Sequence, residues 1–178
     1  AKGGFIYAQA EPLDVVLWDG MESQWLWTLP DSKSKLATSS EYTTEGQSSL
    51  KVSPAKGLPA EGVVLKRRVV DLDIDWVKKM VVDIYNDGVP FNLALRIYTD
   101  RVNESIPKRV ASGLNENITF NLDITDFKFP FTTEEPIRSL EFVIYPEEDE
   151  LGFIYFDNVR IKQRAGLHSP PTFSPPLV

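Results

Sequence analysis

Hydrophobic and polar residues alternate in short runs along most of this chain, and turn residues separate the runs. Nine segments show the period of two, or the content of Val, Ile, Phe and Tyr, that is typical of β-strands. They are residues 13–18, 36–40, 48–53, 63–70, 80–85, 91–99, 117–122, 140–145 and 153–161. Residues 73–79 are the best candidate for a helix and are equally compatible with a loop. Many short strands with little helix predict an all-β protein, a single antiparallel β-sandwich of the jelly-roll type.

The alternation within three of these strands also predicts which side chains face the core. In the segment FNLALRIY the apolar and polar residues occupy opposite faces, because successive side chains of a strand point to opposite sides. The segments MVVDIY and SLEFVIY alternate in the same way. If the three strands are neighbours in one sheet, its outer face carries a mixed aromatic and polar set. That set is Asp83, Tyr85, Asn92, Arg96, Tyr98, Glu141 and Tyr145.

The predicted sandwich spans residues 13–164, with a different kind of segment on each side. Residues 165–178 include HSPPTFSPPLV, whose four prolines cannot donate hydrogen bonds to a sheet. They predict a proline-rich linker or extended arm. Residues 1–12 are predicted to be an N-terminal segment or a first strand, and the run Ala8-Gln9-Ala10 within them also resembles the end of a signal peptide.

Composition excludes several classes of function. The chain has no cysteine, and its one histidine, His168, lies in the proline-rich tail, so the body offers no thiol nucleophile, Cys/His zinc cluster or Ser-His-Asp triad. A net charge of -7 argues against nucleic acid as a partner. No apolar run approaches the ~20 residues of a transmembrane helix, so we expect no membrane span. No motif singles out a pair of its 26 acidic residues, so we expect no enzymatic activity.

Five segments, in order, carry a family resemblance: WDGMESQWLW, EGQSSLKV, VVDIYNDGVPFNLALRIYTD, GLNENITFNLDI and IYFDNVRI. They resemble the β-sandwich carbohydrate-binding modules of the galactose-binding-like superfamily that are appended to bacterial glycoside hydrolases. The resemblance covers residues 14–162. It implies a non-catalytic module that binds a polysaccharide or oligosaccharide, with β-mannan or β-glucan favoured. It also implies an attached glycoside hydrolase in the same polypeptide and a secreted, cell-surface or periplasmic location.

Candidate ligand-binding residues follow from the way proteins bind sugars, by stacking aromatic rings on C–H faces and placing planar polar groups around them. The candidates are Trp25, Trp27, Trp76, Tyr85, Arg96, Tyr98, Glu141 and Tyr145. Trp25 and Trp27 share a parity, so one face of a short strand would carry both, either exposed or buried. Trp76 can equally cover the core, and Arg96 and Glu141 can equally form a cross-strand ion pair without a ligand.

One acidic residue, Asp157, interrupts the otherwise apolar last strand, LGFIYFDNVRIK. The family resemblance implies a structural Ca²⁺ here, held by Asp157 together with Asp19 or Glu22 and with backbone oxygens near Ser49. The alternative is that Asp157 and Asn158 form a β-bulge or an exposed edge that needs no metal.

A second class of function also remains open. Flagellar sheath proteins of spirochaetes have a similar closing YFD strand followed by a basic residue. The chain would then be a structural or assembly protein of a bacterial cell surface or of a periplasmic filament sheath. The acidic residues 146–150 and the proline-rich arm would serve contacts between subunits.

Overall fold

Twelve β-strands form within the residues that this computed structural model describes, which are 12–56, 62–68, 70, 72–73, 75–113, 115–132, 136–148 and 150–165. The strands are β1 (Leu13–Asp19), β2 (Trp27–Thr28), β3 (Lys35–Ser39), β4 (Ser49–Ser53), β5 (Val63–Arg67), β6 (Val77–Asn86), β7 (Phe91–Tyr98), β8 (Val102–Glu104), β9 (Lys108–Val110), β10 (Asn115–Asn121), β11 (Ser139–Pro146) and β12 (Ile154–Arg164). Across these ranges there is no helix that could cross a membrane.

The strands form two six-stranded sheets in which every pairing is antiparallel. The first sheet has the order β10-β6-β12-β4-β3, and β1 pairs with the second half of β12. The second sheet has the order β2-β5-β11-β7-β8, and β9 pairs with β7. Side chains from both sheets share one hydrophobic core. The architecture is therefore the antiparallel β-sandwich that the sequence predicts.

An aromatic contact joins the two sheets at the centre of this core. Phe142 of β11 stacks on Phe156 of β12 with ring centroids 5.4 Å apart, and on Trp27 of β2 at 5.7 Å. Phe120 of β10 lies 6.4 Å from Phe142. Phe142 belongs to the second sheet, whereas Phe120 and Phe156 belong to the first. Burial of each phenylalanine side chain contributes about 1.5–3 kcal/mol.

The nine predicted strands are all present, with ends within three residues of those predicted. The three further strands, β2, β8 and β9, have only two or three residues each and are too short to show a period. Residues 73–79, for which a short helix or a loop was expected, contain a turn at 75–76 and then the start of β6. The predicted N-terminal segment and proline-rich tail lie outside the described residues, apart from Pro12 and Ala165.

The condition for that shared outer face, that residues 80–85, 91–99 and 140–145 are neighbours in one sheet, is not met. β7 and β11 pair in the second sheet, but β6 lies in the first sheet between β10 and β12. A period of two shows which face of a strand is apolar, and it carries no information about which strand lies beside it. Asp83 and Tyr85 therefore lie on the other side of the sandwich from Arg96.

A buried ion pair connects β1 to the second sheet. The Arg67 guanidinium lies 3.0 Å from the Asp19 carboxylate, and the two side chains are only 8% and 13% exposed. Trp27 Nε1 donates to the same carboxylate at 2.8 Å, and the backbone N–H of Met21 donates to its other oxygen at 2.8 Å. The guanidinium also lies over the ring of Trp18, 4.4 Å from its centroid. The Asp19 carboxylate therefore neutralises the Arg67 charge and accepts hydrogen bonds from Trp27 and Met21.

We expect Asp19→Ala to lower the free energy of unfolding by about 3–5 kcal/mol, because it leaves the Arg67 charge buried without a partner. The matched control is Asp100→Ala, because Asp100 pairs with Arg138 at 3.0 Å on an exposed surface where such a pair contributes about 1 kcal/mol or less. Urea denaturation measures both variants. Equal losses would show that Asp19 is not what compensates the buried guanidinium.

Candidate functional site

Five side chains form one hydrogen-bonded network on the outer face of the second sheet. They come from the adjacent strands β11, β7 and β8 and are Arg96, Tyr98, Glu104, Glu141 and Tyr145. Glu141 pairs with Arg96 across the sheet, and Arg96 pairs with Glu104, so their side chains form a row. Lys66 of β5 lies on the other side of Glu141 and extends this row. Charges therefore alternate in sign from β5 to β8.

The Arg96 guanidinium connects the network. Its Nε donates to Glu104 at 2.7 Å, its Nη1 to Glu141 at 2.9 Å and its Nη2 to the Tyr145 hydroxyl at 3.4 Å. The tyrosine hydroxyls donate to the same carboxylates, Tyr98 to Glu141 at 2.9 Å and Tyr145 to Glu104 at 2.7 Å. Four of the five members bond to at least two others and Tyr98 bonds to Glu141, so each side chain of the network is held in orientation by another.

The electrostatics keep the charge state of this face constant. Burial alone would lower the pKa of Arg96, but the hydrogen bonds and charges of its neighbours outweigh burial and raise it above the ordinary value. Burial, together with hydrogen bonds to the carboxylates, raises the pKa of Tyr98 and Tyr145. Around neutral pH the Arg96 side chain is therefore a cation and the Tyr98 and Tyr145 phenols are neutral. Such a surface can donate and accept hydrogen bonds while offering aromatic rings for stacking.

Four of the predicted ligand-binding residues, Arg96, Tyr98, Glu141 and Tyr145, thus lie together on one sheet face. Glu104 completes the network and was missed, because β8 is too short for its parity to be read from the sequence. Tyr85, which was predicted to share this face, lies on the outer face of the first sheet.

The three candidate tryptophans occupy different environments. Trp25 lies in a turn and is 79% exposed, whereas Trp27 is buried in β2 and bonded to Asp19. The prediction that one strand face carries both is wrong, because β2 begins only at Trp27. Trp76 is half-buried in the turn before β6 and is not part of the network.

A groove of ≈ 330 Å³ lies beside Trp25, at the side of the sandwich between β2 and β3. Its polar lining residues are Gln24, Thr28, Ser34 and Arg68. Thr28 pairs with Lys66, and Lys66 pairs in turn with Glu141. The groove therefore borders the sheet that carries the network, and β5 lies between them.

A separate group of acidic residues lies where the β3–β4 loop, residues 40–48, meets the first sheet. Carboxylate oxygens of Glu22, Glu45 and Asp157 lie within 4.8 Å of one another. Asp157 is only 1% exposed. Burial raises the pKa of its carboxyl group, backbone hydrogen bonds oppose that rise, and repulsion from Glu22 adds to it. The three acids therefore repel one another in a partly desolvated site.

Asp157 also holds the β3–β4 loop through backbone hydrogen bonds. One of its oxygens accepts the N–H groups of Thr44 at 2.7 Å and Glu45 at 3.0 Å, and the other accepts that of Asn158 at 2.8 Å. The register of β12 against β6 shifts between Asp157 and Arg160, and Asn158 has a φ of 51°. The β-bulge that was the alternative prediction for Asp157 is therefore present.

Glu22 holds the other end of the same loop. Its two carboxylate oxygens accept the N–H groups of Gln47 at 2.7 Å and Ser48 at 2.8 Å. Gly46, with a φ of 64°, packs directly against this carboxylate, and a Cβ at that position would collide with Glu22 Oε1. The left-handed backbone favours glycine there, and a larger residue would also have to displace the Glu22 carboxylate.

The donor set of this acidic cluster suits a hard divalent cation. Glu45 accepts no hydrogen bond from the described residues, and none of the three acids forms an ion pair with a described basic side chain. Ca²⁺ prefers such carboxylate oxygens and would neutralise their repulsion. Of the two partners predicted for Asp157, Glu22 lies in the cluster, whereas Asp19 is paired with Arg67. Glu45 was missed, because nothing in its loop sequence marks it.

No protein-family model and no curated protein matches the chain. Several solved structures match it. A family 11 carbohydrate-binding module from Clostridium thermocellum, in complex with a β-1,3-1,4-mixed-linked tetrasaccharide, is 15% identical with a TM-score of 0.58, covering 83% of this chain and 94% of that one. The CBM22-1–GH10 modules of the Clostridium thermocellum xylanase 10B, complexed with xylohexaose, are 15% identical with a TM-score of 0.58. That match covers 79% of this chain and 27% of the other.

A third similar structure is TmCBM27, described in terms of specific mannan recognition. It is 16% identical with a TM-score of 0.53, and the match covers 87% of this chain and 99% of that one. The fold is thus the β-sandwich of carbohydrate-binding modules, and the resemblance noted from the sequence is confirmed at the level of the fold.

We expect Asp157→Ala to loosen the β3–β4 loop, because alanine removes the oxygen that accepts the N–H groups of Thr44 and Glu45. A buried N–H group left unsatisfied costs about 1–3 kcal/mol. Hydrogen exchange of the Thr44 and Glu45 amides, followed by mass spectrometry or NMR, should become faster.

Asp31→Ala is the matched control for this substitution. A single oxygen of Asp31 likewise accepts the N–H groups of both Lys33 at 2.9 Å and Ser34 at 2.6 Å, and alanine removes it. Exchange should become faster in its own turn and stay unchanged at Thr44 and Glu45. Unaltered exchange at Thr44 and Glu45 in the Asp157 variant would mean that other contacts hold the loop.

Proposed function

We propose that this chain is a non-catalytic carbohydrate-binding module whose second sheet binds a β-linked polysaccharide, of the β-mannan or β-glucan type, on its outer face. The observation that carries the proposal is the network around Arg96, in which two tyrosine rings and three charged groups are fixed on one sheet face. The similar structures support it, because they are named for mixed-linked β-glucan, xylo-oligosaccharide and mannan.

The network suits a neutral polyhydroxylated ligand. Its donors and acceptors are already held in place by one another, so binding a sugar costs little side-chain entropy. Sugar hydroxyls can take the remaining lone pairs and N–H groups, while the rings of Tyr98 and Tyr145 meet C–H faces. The charges of Lys66 and Arg96 balance those of Glu104 and Glu141, which favours a neutral chain over an anionic polymer.

The Trp25 groove extends this surface. Three inter-strand spacings separate β2 from β7, a distance of about 14 Å across the sheet. A chain of several sugar residues can therefore contact both Arg96 and Trp25. An exposed indole beside polar side chains is a typical sugar contact, and we assign Trp25 and Arg68 to the same binding surface.

We assign the carboxylates of the network to ligand recognition and not to catalysis, because Arg96 bonds to both Glu104 and Glu141 and keeps them as fixed acceptors. In the proposed role the chain targets an attached glycoside hydrolase in the same polypeptide to its polysaccharide, raising the effective local concentration. The proline-rich sequence of residues 165–178 supports a linker. This role requires a secreted, cell-surface or periplasmic location.

We also propose a structural Ca²⁺ at Glu22, Glu45 and Asp157. The convergence of three carboxylates on the β3–β4 loop supports it. A cation bound there would remove their repulsion and strengthen the attachment of the loop to β12. The proposed ion has no part in sugar binding on the opposite sheet.

We expect native affinity electrophoresis to show retardation of the protein by at least one of galactomannan, glucomannan, mixed-linked β-glucan and xylan. Arg96→Ala should weaken the retarding interaction by about tenfold or more, because it removes charge-assisted hydrogen bonds worth about 1.5–3 kcal/mol each. Tyr98→Phe should weaken it less than Tyr98→Ala, since phenylalanine keeps the ring.

Arg138→Ala is the matched control, because Arg138 forms an exposed ion pair outside the network. Measured against its own migration without polysaccharide, it should be retarded as much as the wild type, and circular dichroism should show that all variants are folded. No retardation of the wild type by any of the four polysaccharides would contradict the proposal. The alternative of an assembly protein would then be tested by measuring self-association.

We expect Ca²⁺, at about 100 times its dissociation constant, to raise the melting temperature by about 5–10 °C relative to the protein in EDTA. Glu45→Gln should abolish this response and leave stability in EDTA unchanged or higher, because Glu45 repels its neighbours and accepts no hydrogen bond from the described residues. Equal melting temperatures of the wild type with Ca²⁺ and with EDTA would contradict the ion site.

A further inference from the structure

A compact group of aromatic side chains covers part of the first sheet's outer face. We call it the tyrosine patch. It comprises the aromatic residues Tyr42, Tyr85, Phe153 and Tyr155, together with Lys51. Tyr155 pairs across the sheet with Tyr85 on one side and Lys51 on the other. Tyr42, from the β3–β4 loop, stacks on Tyr85 with ring centroids 3.5 Å apart and planes inclined by 9°.

The remaining contacts make the patch continuous. The ring of Tyr42 lies 4.8 Å from that of Tyr155, in an edge-on arrangement. Lys51 Nζ lies 4.1 Å from the centroid of Phe153 and 5.6 Å from that of Tyr155. Phe153 and Tyr155 are two residues apart and face the same side, about 7 Å from each other. Tyr155 is only 3% exposed and joins the other rings from beneath, so the exposed rings of the patch are those of Tyr42 and Phe153.

Tyr42 is held in this position against a conformational penalty. Its φ is 52°, in the left-handed region that bulky residues rarely adopt, and the side chain remains 40% exposed. The ring contacts Tyr85 and Tyr155 on the outer face and is not part of the hydrophobic core. A strained backbone that exposes an aromatic ring indicates that this surface has been selected to bind a ligand.

We propose that the tyrosine patch is a second saccharide-binding surface, on the opposite side of the sandwich from the Arg96 network. This inference rests on the proposed function and adds a site to it. The exposed rings of Tyr42 and Phe153 can meet sugar C–H groups, and the Tyr42 hydroxyl and the Lys51 ammonium can bond to sugar hydroxyls.

The surroundings of the patch favour a neutral sugar chain as its occupant. Glu41 and Asp87 are close enough to act electrostatically on both Tyr42 and Tyr155, so the rim carries both signs of charge. A polyanion would be repelled by these two carboxylates. The large exposed aliphatic side chains of the described residues, which a protein partner would bury, lie outside the patch, at residues 15–17, 26, 102, 106 and 124.

Binding surfaces on opposite sides of the sandwich determine how many polysaccharide chains the module can hold. Packed sheets lie about 10 Å apart and their outer faces point in opposite directions, so one stretch of polysaccharide cannot stack on both. A module with two such faces binds two chains, or two distant parts of one chain. It would therefore cross-link a soluble polysaccharide as well as attach to it.

Separate substitutions on the two faces test this inference. Affinity electrophoresis in mixed-linked β-glucan, xylan or galactomannan compares the wild type with Arg96→Ala, Tyr42→Gly and the double variant. Each single variant should keep part of the retardation, and the double variant should lose it. Titration calorimetry with a hexasaccharide from the retarding polysaccharide should give two sites for the wild type and one for each single variant.

Two features of the design separate binding from folding. Glycine accepts the left-handed backbone at position 42, so Tyr42→Gly should remove the stacking ring while the melting temperature stays within a few degrees of the wild type. Phe153→Ala should also weaken the second site, whereas Phe129→Ala should not, although these two phenylalanines are 43% and 46% exposed.

The possible results distinguish this inference from the proposed function. If Arg96→Ala alone abolishes all retardation and Tyr42→Gly has no effect, the second surface is refuted and the Arg96 face stands. If Tyr42→Gly abolishes retardation and Arg96→Ala does not alter it, the patch stands and the assignment of the Arg96 face fails. A wild type that no polysaccharide retards refutes both.

Discussion

The packing of Phe142 against Phe156 sets the orientation of every surface in this protein. These rings join the two sheets, so they define which face of β11 and which face of β12 is internal. Because side chains alternate along a strand, an inward Phe142 requires Glu141 to point outward, toward Arg96. A slip of one residue would bury the charge and expose the ring, and the cost of that exchange keeps the register unique.

β12 uses the same alternation to carry charge and aromatic rings on its outer side. Asp157 is tolerated there because backbone N–H groups of the β3–β4 loop reach it, so a buried carboxylate becomes an attachment point for a loop. Glu22 does the same from the other end of that loop. The loop in turn brings Tyr42 over Tyr85. One acidic position in a strand thus determines the position of a distant aromatic ring.

The two outer faces are built in different ways. On the second sheet, Arg96 bonds to two carboxylates and to the Tyr145 phenol, so polar side chains fix one another and the rings stand beside them. On the first sheet, rings stack directly on rings and Lys51 lies over them. Both arrangements restrict side-chain motion before any ligand arrives, which is the property that binding a flexible, hydrated chain requires.

Local pattern was sufficient for the strands and for their inward and outward faces. The parity of β7 and β11 alone predicted that Arg96, Tyr98, Glu141 and Tyr145 share an outer face, and the five ordered segments predicted the sandwich. These features could be predicted because an amphipathic strand must bury one face, so every second residue is apolar. Short strands such as β8 carry too few residues to show it, so Glu104 was missed.

Only the tertiary structure decided which strands are neighbours and where the loops lie. It separated Tyr85 from Arg96, paired Asp19 with Arg67 instead of with the other acids, and brought Glu45 to Asp157. The contacts of Asp19 with Arg67 and of Glu45 with Asp157 join residues that are far apart in the chain. Sheet order, or a loop that crosses a sheet, brings them together. A strand's own sequence determines its faces, whereas its neighbours are chosen by packing of the whole core, and no local period records that choice.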